Sequence, residues 1–499
     1  MRSVAYDYLE PSMAAQLEQQ DVLNLPTNLF IGGAWRESSD RGRFDVIDPA
    51  TEQVLASVAD GTVADASSAV DAAAAALPAW AARAPRERAE ILRKAFEVLV
   101  GQKERIARLI TLENGKALPD SRSEAVYAAE FFRWYAEEAV RNIGQVSRAP
   151  SSGARILVQH KPAGVAVLVT PWNFPAAMGT RKIAPALAAG CTVVLKPASE
   201  TPLTMLLLAE LLAEAGVPPG VVNILPARSS GAVVGAMLAD PRVRVISFTG
   251  STQTGRRLLQ TAAQTVVNPR MELGGNAPFI VFDDADLNAA VEGAMIAKMR
   301  NMGEACTAAN RFYIQAGVYQ EFVQHFAAAM ANLKVGNGLA DGVAVGPLIN
   351  ASSRDKVENL VEDARARGAR VVLGGRRFAG PGYFYEPTVL ADVPAGAACL
   401  GEEIFGPVAP LLSFRTEDDA IARANDTEYG LVAYVYTRDL ARGLRVTEKL
   451  EFGMVGLNRG LVSDPAAPFG GVKQSGLGRE GAHEGLMEFL ETQYVSVTW

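Results

Sequence analysis

The amino-acid sequence predicts an α/β fold with two α/β domains in succession. Short runs rich in β-branched residues alternate with alanine-rich stretches of helical spacing, first in GVAVLVT, CTVVLKP, VVNILP and VRVISFTGS, and again from NRFYIQAG to GMVGLN. Such alternation is typical of parallel sheets with crossover helices. The chain of 499 residues is also too long for one small core. We expect two or three domains, with a boundary near Gly274 and Gly275.

The segments that flank these blocks have their own patterns. Residues 64–140 are alanine-rich with helical periodicity, which predicts packing helices. The tail MEFLETQYVSVTW ends in β-branched and aromatic residues, a pattern that predicts an edge strand prone to aggregation if unpaired. We expect this strand to pair with another subunit.

Composition excludes several classes of protein. A formal net charge of −7 argues against a nucleic-acid binder, since such proteins are usually basic. The N-terminal segment lacks the apolar core of a secretory signal and is expected to be a loose or docked leader, and no apolar run is long enough to span a bilayer. The three cysteines are widely spaced without a CxxC pair, which argues against disulfides and metal sites. A reducing cytoplasm is expected.

One strand-to-helix junction could bind a nucleotide. In FTGSTQTG a strand ends at Gly250 and Ser251, and Gly255 lies in the helix that follows. Backbone N–H groups at such a junction can approach a pyrophosphate. Glycine serves plain turns equally often, so the motif alone leaves both interpretations open.

Cys306 and Glu272 are the candidate chemical groups. Cys306 follows a helix end in RNMGEAC and is either a small buried hydrophobic residue or a thiolate nucleophile. Hydrolytic cysteine catalysis needs a histidine partner, and none of the three histidines lies in a recognisable motif. Glu272 in MELGG is a carboxylate in an apolar setting, suited to a general base or to a structural anchor.

Seven motifs together resemble the aldehyde dehydrogenase superfamily over residues 29–497. They occur in the order and approximate spacing of that superfamily, and are PWNFP, LKPASETP, FTGST, MELGG, GEAC, EEIFGP and PFGGVKQSGLGRE. The resemblance implies a Rossmann-like cofactor-binding domain in residues 1–140 and 162–273, and an α/β catalytic domain in residues 274–472. It also implies a small β oligomerisation element from residues 141–161 and 482–499, and a homodimer or homotetramer.

The same resemblance implies a role for each matching residue. Cys306 would attack the aldehyde, Asn173 and the Cys306 N–H would form the oxyanion hole, and Glu272 would activate water. The resemblance places Lys196 both among the catalytic residues and among the residues that bind the cofactor. The residues implied to bind the cofactor are Trp172, Lys196, Ser199, Gly250, Ser251, Gly255, Glu403 and Phe405.

The position of Ser199 bears on the choice of cofactor. Relatives that prefer NAD commonly carry a glutamate three residues after the lysine, where it would repel a 2′-phosphate. Ser199 leaves Lys196 free to meet that phosphate, so we expect NADP, with NAD as the alternative. Glu200 could swing towards the same place and restore the repulsion.

Within the superfamily, the chain most resembles the succinate-semialdehyde dehydrogenases. Arg181, Arg300 and Ser463 match the residues of that group that bind the distal carboxylate of the substrate. Guanidinium groups are suitable receptors for a carboxylate, although each arginine alone would be taken for an ordinary surface ion. The alternatives are another acidic semialdehyde such as glutarate semialdehyde, and a broad aliphatic aldehyde dehydrogenase.

Some positions depart from the family pattern. Glu304, Ala305 and Ala308 replace the usual neighbours of the nucleophile, and Ala227 replaces a glycine of the cofactor wall. Arg459 could add positive charge at the substrate entrance. Two other classes of function stay open at this stage, namely a cysteine hydrolase or acyltransferase without redox chemistry, and a catalytically silent relative.

Overall fold

A computed structural model describes residues 25–499, and within them the strands form four sheets. The strands are β1 (Leu29–Ile31), β2 (Ala34–Arg36), β3 (Arg43–Ile47), β4 (Val54–Ala59), β5 (Gln145–Arg148), β6 (Arg155–Pro162), β7 (Val165–Val169), β8 (Thr192–Lys196), β9 (Val222–Ile224), β10 (Val243–Thr249), β11 (Asn268–Glu272), β12 (Ala277–Val281), β13 (Ala309–Gln315), β14 (Arg370–Leu373), β15 (Thr388–Ala391), β16 (Val408–Phe414), β17 (Val432–Tyr436), β18 (Met454–Leu457), β19 (Gly476–Leu477) and β20 (Leu490–Val497).

The helices lie between these strands. They are α1 (Val63–Ala81), α2 (Pro85–Gly101), α3 (Lys103–Asn114), α4 (Leu118–Glu138), α5 (Ala177–Ala189), α6 (Pro202–Glu214), α7 (Ser230–Ala239), α8 (Thr252–Ala263), α9 (Leu287–Met299), α10 (Tyr319–Ala331), α11 (Ala351–Ala366), α12 (Ala398–Gly401), α13 (Glu417–Asn425), α14 (Leu440–Lys449) and α15 (Ala482–Met487). Every helix in residues 25–499 is too short or too polar to cross a bilayer.

Two large sheets organise the molecule. The first has the order β19-β11-β10-β7-β8-β9-β1-β2, and the second has the order β14-β15-β16-β13-β12-β17-β18. The strands from β7 to β11 pair in parallel, as do those from β12 to β18 except β14. The alternation of strands and helices therefore predicted the α/β architecture correctly.

Both faces of each sheet are buried. In β7, Ala166 and Leu168 enter one hydrophobic cluster, whereas the alternate residues Val165 and Val167 enter another. Successive side chains of a strand point to opposite faces, so helices cover this sheet on both sides. Burial on both faces explains why these strands are almost entirely apolar in the sequence.

The remaining strands form two smaller sheets, and the sequence patterns did not predict all of their strands. The hairpin β3–β4 stands alone, and β20 pairs antiparallel along its whole length with β6, which also pairs with β5. The tail strand thus has one edge paired within its own chain, rather than only with another subunit as expected. The predicted leader, residues 1–21, lies outside the described residues. The predicted domain boundaries stay predictions.

A fully buried ion pair joins α4 to the segment that enters α5. Lys116 Nζ lies 2.6 Å from Glu124 Oε2, and both side chains are completely buried. The ammonium also donates to the Asn173 carbonyl at 2.6 Å, and Glu124 Oε1 accepts from the N–H groups of Ala176 and Ala177. Burial lowers the pKa of Lys116, and the Glu124 carboxylate opposes that shift. The pair therefore fixes the position of the segment that carries Asn173.

Replacing Lys116 with methionine tests this role. The variant leaves the Glu124 carboxylate buried without its cation, so we expect the free energy of unfolding to fall by about 3–5 kcal/mol. The control is Arg93→Ala, which breaks exposed pairs with Glu90, at 2.8 Å, and with Glu97, and it should cost far less because solvent screens exposed pairs. Urea denaturation followed by tryptophan fluorescence measures both. Equal, small losses for the two variants would show that the buried pair is not a structural anchor.

Candidate active site

The carboxyl ends of four parallel strands meet at one edge of the first sheet. The register pairs Val169 at the end of β7 with Lys196 at the end of β8 and with Phe248 in β10, and it pairs Thr249 with Glu272 at the end of β11. Ligands of open α/β sheets bind at this edge. The residues that follow each of these strands are therefore brought together from distant parts of the sequence.

A cleft opens at this edge, and Cys306 lies in its wall. The residues around it come from both large sheets and from α11, and are Pro171, Trp172, Asn173, Met178, Thr249, Gly250, Ser251, Leu273, Gly274, Cys306, Ser353, Lys356, Glu403, Ile404 and Phe405. Seven of the residues predicted from the sequence share this lining, namely Trp172, Asn173, Gly250, Ser251, Cys306, Glu403 and Phe405.

The backbone that precedes Cys306 is tightly turned. Asn301, Met302 and Gly303 all have positive φ, at 51°, 55° and 80°. Non-glycine residues rarely adopt this conformation, and where they do so the surrounding structure must hold them. Asn301 is held by its side chain, which donates to the Asn173 carbonyl at 2.9 Å and to the Glu304 carbonyl at 2.8 Å. Sequence reasoning did not identify Asn301, although asparagine is the residue that best tolerates such a turn.

Asn173 presents an amide to the cleft from a fixed position. Its Nδ2 donates to the Glu304 carbonyl at 3.0 Å, which uses one of its two N–H bonds. The second N–H and the backbone N–H of Cys306 are the groups available for an oxygen atom on a substrate. Asn173 is 3% exposed, so water competes weakly for these donors.

Burial determines the protonation of Cys306 in the free protein. Burial, with smaller contributions from the carboxylates Glu272 and Glu403, raises the pKa of the thiol to about 12, and Arg181 and Arg300 oppose the shift. The thiol is therefore neutral at pH 7. Because the thiolate is the nucleophile, a base or an added positive charge must favour its formation.

Glu272 lies in a buried cluster of charges. Neither of its carboxyl oxygens has a hydrogen-bond partner among residues 25–499. Burial raises its pKa well above the ordinary value, the Glu480 carboxylate adds to the shift, and Arg181 and Lys182 oppose it. A carboxyl group with a raised pKa is suited to accept a proton from water near neutral pH.

Glu480 holds two cations beside Glu272. Its Oε2 lies 2.7 Å from Arg181 Nε, and its Oε1 accepts a hydrogen bond from Lys182, which also donates to Ser247 at 2.9 Å. Strand β19 pairs with β11 and brings Glu480 to this place from a remote part of the sequence. The sequence analysis did not identify Lys182 or Glu480. The only signal for Lys182 was its position in an otherwise apolar helix, and the only signal for Glu480 was its place at the end of the motif PFGGVKQSGLGRE.

Two groups in the cleft fit a bound nicotinamide nucleotide. Glu403 Oε1 accepts from the Gly275 N–H at 3.2 Å, which leaves Oε2 free for a ribose hydroxyl, and burial raises the pKa of this carboxyl to about 7. The hydroxyl of Thr249 lines the cleft, is buried, and has no hydrogen-bond partner in the described residues. The Trp172 and Phe405 rings meet edge to face with centroids 5.4 Å apart.

Glycines leave room along the same wall. A Cβ on Gly250 would lie 2.5 Å from the Phe248 ring, and one on Gly255 would lie 2.4 Å from Leu273, which lines the cleft. Ser251 caps α8, where its hydroxyl accepts from the Thr254 N–H at 3.3 Å. The N-terminus of α8 is thus open to an anionic group such as a pyrophosphate.

Lys196 and Ser199 form a separate cluster outside the lining of the cleft. The Ser199 hydroxyl donates to Glu200 Oε2 at 3.2 Å. Burial lowers the pKa of Lys196 to about 8, and the carboxylates of Glu200 and Asp60 oppose this shift. Glu200 therefore lies close enough to Lys196 to influence which ribose substituent the lysine meets.

The three predicted carboxylate-binding residues do not line the cleft either. Arg300 Nη1 lies 3.4 Å from the Ser463 hydroxyl, and the Arg300 guanidinium is 4.8 Å from the Phe174 ring centroid. Arg181 is 2% exposed and is paired with Glu480, with its guanidinium 4.1 Å from the Phe469 ring. Both arginines influence the pKa of the Cys306 thiol, so they lie near it.

No histidine shares the cleft with Cys306. His160 is in β6, where its ring faces Thr492 at 3.2 Å, His325 is in α10, and His483 pairs with Glu138 at 2.8 Å. The geometry therefore lacks the imidazole base that a cysteine hydrolase would use. The arrangement supports an acyl intermediate on Cys306 with an oxyanion hole, a buried carboxyl base and a nucleotide cleft.

Comparison with known proteins agrees with this geometry. The model of the aldehyde dehydrogenase family matches residues 35–495. A succinate-semialdehyde dehydrogenase of Paenarthrobacter nicotinovorans is 57% identical over 89% of this chain and 99% of its own length. A glutarate-semialdehyde dehydrogenase of Pseudomonas aeruginosa is 50% identical over 93% of this chain and 96% of its own length. A crystal structure of an Escherichia coli NADP-dependent enzyme has a TM-score of 0.94 and 48% identity, and the alignment covers 96% of this chain and 99% of the other.

The raised pKa of Cys306 predicts how the free protein reacts with iodoacetamide. Well below the pKa, the thiolate fraction rises about tenfold per pH unit, so the alkylation rate should climb between pH 7 and pH 10 without a plateau. Mass spectrometry of the Cys306 peptide measures the rate, and Cys306→Ala gives the background from Cys191 and Cys399. A plateau near pH 8 would contradict a pKa of about 12.

Proposed function

Because this chain belongs to the aldehyde dehydrogenase family, we propose that it oxidises succinate semialdehyde to succinate with NADP as the hydride acceptor. The observation that carries the proposal is Arg300, a cation beside the nucleophile. Among residues 25–499 no carboxylate lies within ion-pair distance of its guanidinium, which contacts the Ser463 hydroxyl and the Phe174 ring. A substrate with a distal carboxylate would supply the missing partner.

In the proposed reaction, Glu272 or water accepts the proton of the Cys306 thiol, and the resulting thiolate attacks the aldehyde carbon to form a C–S bond. The carbonyl oxygen becomes an alkoxide, which accepts hydrogen bonds from the Asn173 amide and the Cys306 N–H. The Asn301 side chain and Lys116 hold the Asn173 carbonyl, so the amide is in place before charge develops. The bound nicotinamide ring would accept the hydride of this intermediate, which leaves a thioester on Cys306.

Hydrolysis then releases the acid. Glu272 takes a proton from water, the water oxygen attacks the thioester carbon, and the C–S bond breaks to return the thiolate. The carboxyl group can act near neutral pH because burial and Glu480 raise its pKa. Arg181 and Lys182 pair with Glu480, and the Glu480 carboxylate in turn disfavours the charged form of Glu272.

The cofactor would lie in the cleft at Phe405 and extend beyond its lining to Lys196. Glu403 would bind the nicotinamide ribose, Trp172 and Ser251 would lie near the pyrophosphate, and Lys196 would meet the adenosine ribose with Ser199 beside it. The name of the Escherichia coli relative states NADP dependence, which supports the preference expected from Ser199. The hydrogen bond from Ser199 to Glu200 supports NAD as the alternative, since the Glu200 carboxylate remains near the lysine.

Glutarate semialdehyde is the second candidate substrate. It carries the same terminal carboxylate on a chain one methylene longer, and the Pseudomonas aeruginosa relative is named for it. One extra methylene changes binding by about 1–3 kcal/mol in a shaped pocket. The two aldehydes therefore require the same carboxylate-binding residues and differ only in how well their chain length matches the pocket.

The domain division predicted from the sequence forms part of the same proposal. Residues 1–140 and 162–273 would bind the cofactor, 274–472 would carry catalysis, and 141–161 with 482–499 would join subunits in a reducing cytoplasm. In support, β20 lies at the edge of its sheet and exposes Tyr494 and Val495 at 59% and 39%. Such an edge is normally paired or covered.

Light scattering tests the proposed assembly. We expect the mass of a dimer or tetramer for the wild type, and a monomer when Tyr494 and Val495 are both changed to lysine. Charged residues on an edge strand oppose pairing with a second strand, which is the reason for this choice. A wild-type monomer at micromolar concentration would refute the proposed oligomer.

Changing Arg300 to glutamine tests the substrate. We expect kcat/KM for succinate semialdehyde to fall by about thirtyfold or more, because a distal carboxylate loses a charged partner worth about 2 kcal/mol or more. Butanal, which has the same chain length without the carboxylate, should change by less than about threefold. The control is Arg438→Gln, which removes an exposed arginine paired with Asp286. Equal losses on both aldehydes would refute a carboxylate receptor at Arg300.

A further inference from the structure

Tyr127 carries a buried hydroxyl group without a hydrogen-bond partner. The residue lies in α4, and its ring packs edge to face on Phe131 with centroids 4.9 Å apart. Its hydroxyl oxygen is excluded from solvent, and no group among residues 25–499 donates to it or accepts from it. A buried hydroxyl that forgoes its hydrogen bonds is costly, so such a group in a binding region indicates a missing ligand.

The surroundings of Tyr127 are those of the proposed carboxylate receptor. The Arg300 guanidinium is 5.9 Å from the centroid of the Tyr127 ring, and the Arg181 guanidinium is 5.5 Å from the Phe131 ring on which Tyr127 packs. The charges of Arg181, Arg300 and Cys306 all influence the titration of the Tyr127 hydroxyl. The hydroxyl thus lies near both arginines and the nucleophile.

Arg181 has an unused donor in the same region. Its Nε faces Glu480, but its Nη2 is buried and has no hydrogen-bond partner in the described part of the chain. Arg300 Nη1 meets only the Ser463 hydroxyl, at the long distance of 3.4 Å. Three groups from α4, α5 and the end of α9 therefore carry unsatisfied or weakly satisfied donors near one another.

We propose that the Tyr127 hydroxyl donates a hydrogen bond to the distal carboxylate of the substrate, beside Arg300 and Arg181. Tyr127 is then a residue that selects acidic aldehydes and positions them for Cys306. This inference rests on the proposed function. A carboxylate has about four lone-pair sites, so it can accept from two guanidinium groups, the Ser463 hydroxyl and Tyr127 together.

The same geometry would disfavour neutral aldehydes. A substrate without the distal carboxylate would leave the Tyr127 hydroxyl and the Arg181 Nη2 group buried without partners. Sites built to hydrogen-bond a polar group reject analogues that lack it, because the buried groups of the site then stay unpaired. Burial raises the pKa of Tyr127, so its hydroxyl keeps the proton that it would donate throughout the neutral range.

Tyr127→Phe is the test, with Tyr385→Phe as the matched control. Tyr385 also has a buried hydroxyl without a hydrogen-bond partner in residues 25–499, but it lies in the core beside β15 and outside the cleft. Initial rates are measured with succinate semialdehyde and with butanal, and succinate is tested as an inhibitor of butanal oxidation. The last measurement reports carboxylate binding without turnover of the acidic aldehyde.

For Tyr127→Phe we expect kcat/KM for succinate semialdehyde to fall by about 10- to 100-fold, mainly through KM, since one charge-assisted hydrogen bond is lost. The inhibition constant of succinate should rise by a similar factor. Butanal kinetics should stay within about twofold or improve, because one unpaired buried donor has been removed. Tyr385→Phe should leave all three measurements within about twofold.

Two outcomes would overturn the inference. Unchanged kinetics with succinate semialdehyde in Tyr127→Phe, or equal losses with butanal, would show that the hydroxyl does not meet the carboxylate. A wild-type enzyme that oxidises butanal but neither oxidises succinate semialdehyde nor is inhibited by succinate would refute the proposed function as well. The wild-type rates alone therefore distinguish the two failures.

Discussion

The buried ion pair between Lys116 and Glu124 is the interaction on which the site geometry depends. Its members have exchanged water for contacts with the segment that leads into α5, where Lys116 holds the Asn173 carbonyl and Glu124 holds two backbone N–H groups. A buried pair of this kind is stable only when hydrogen bonds satisfy its remaining atoms. Here those hydrogen bonds are made by the segment that carries Asn173, so the stability of α4 and the position of Asn173 are coupled.

Burial also sets the chemistry of the charged groups around Cys306. The thiol, Glu272 and Glu403 all have raised pKa values with burial as the main cause. Positive charge in the same region comes from Arg181, Arg300 and Lys182, and the single carboxylate of Glu480 pairs with the first and the last. Arg300 has no carboxylate within ion-pair distance among residues 25–499, although its charge opposes the rise in pKa that burial gives the nearby Asp120. The region is therefore arranged to receive one negative group, as a distal carboxylate would supply.

Much of the fold followed from local sequence pattern. The β-branched runs became β7 to β10 and β13 to β18, and residues 64–140 became four helices. The first four strands were not assigned, because β1 and β2 are only three residues long and β3 has the alternating burial of a half-exposed hairpin. The tail pairs with β6, a contact between residues more than 300 positions apart that no local pattern reports. Pairing of distant strands depends on how the whole chain packs.

The sequence by itself determined the family and the order of the motifs, because each motif is a short stretch whose residue types are fixed by chemistry, and it supplied Cys306 as the candidate nucleophile. It also supplied Asn173, Glu403 and Arg300, although their roles stay proposals. Only the tertiary structure showed that Arg181 is already paired with Glu480, that Glu200 bonds to Ser199, and that Tyr127 has a buried hydroxyl without a partner. These facts concern which polar groups are satisfied after burial. Whether a buried polar group finds a hydrogen-bond partner depends on residues from other helices and strands, and the spacing of motifs along the sequence does not show which residues those are.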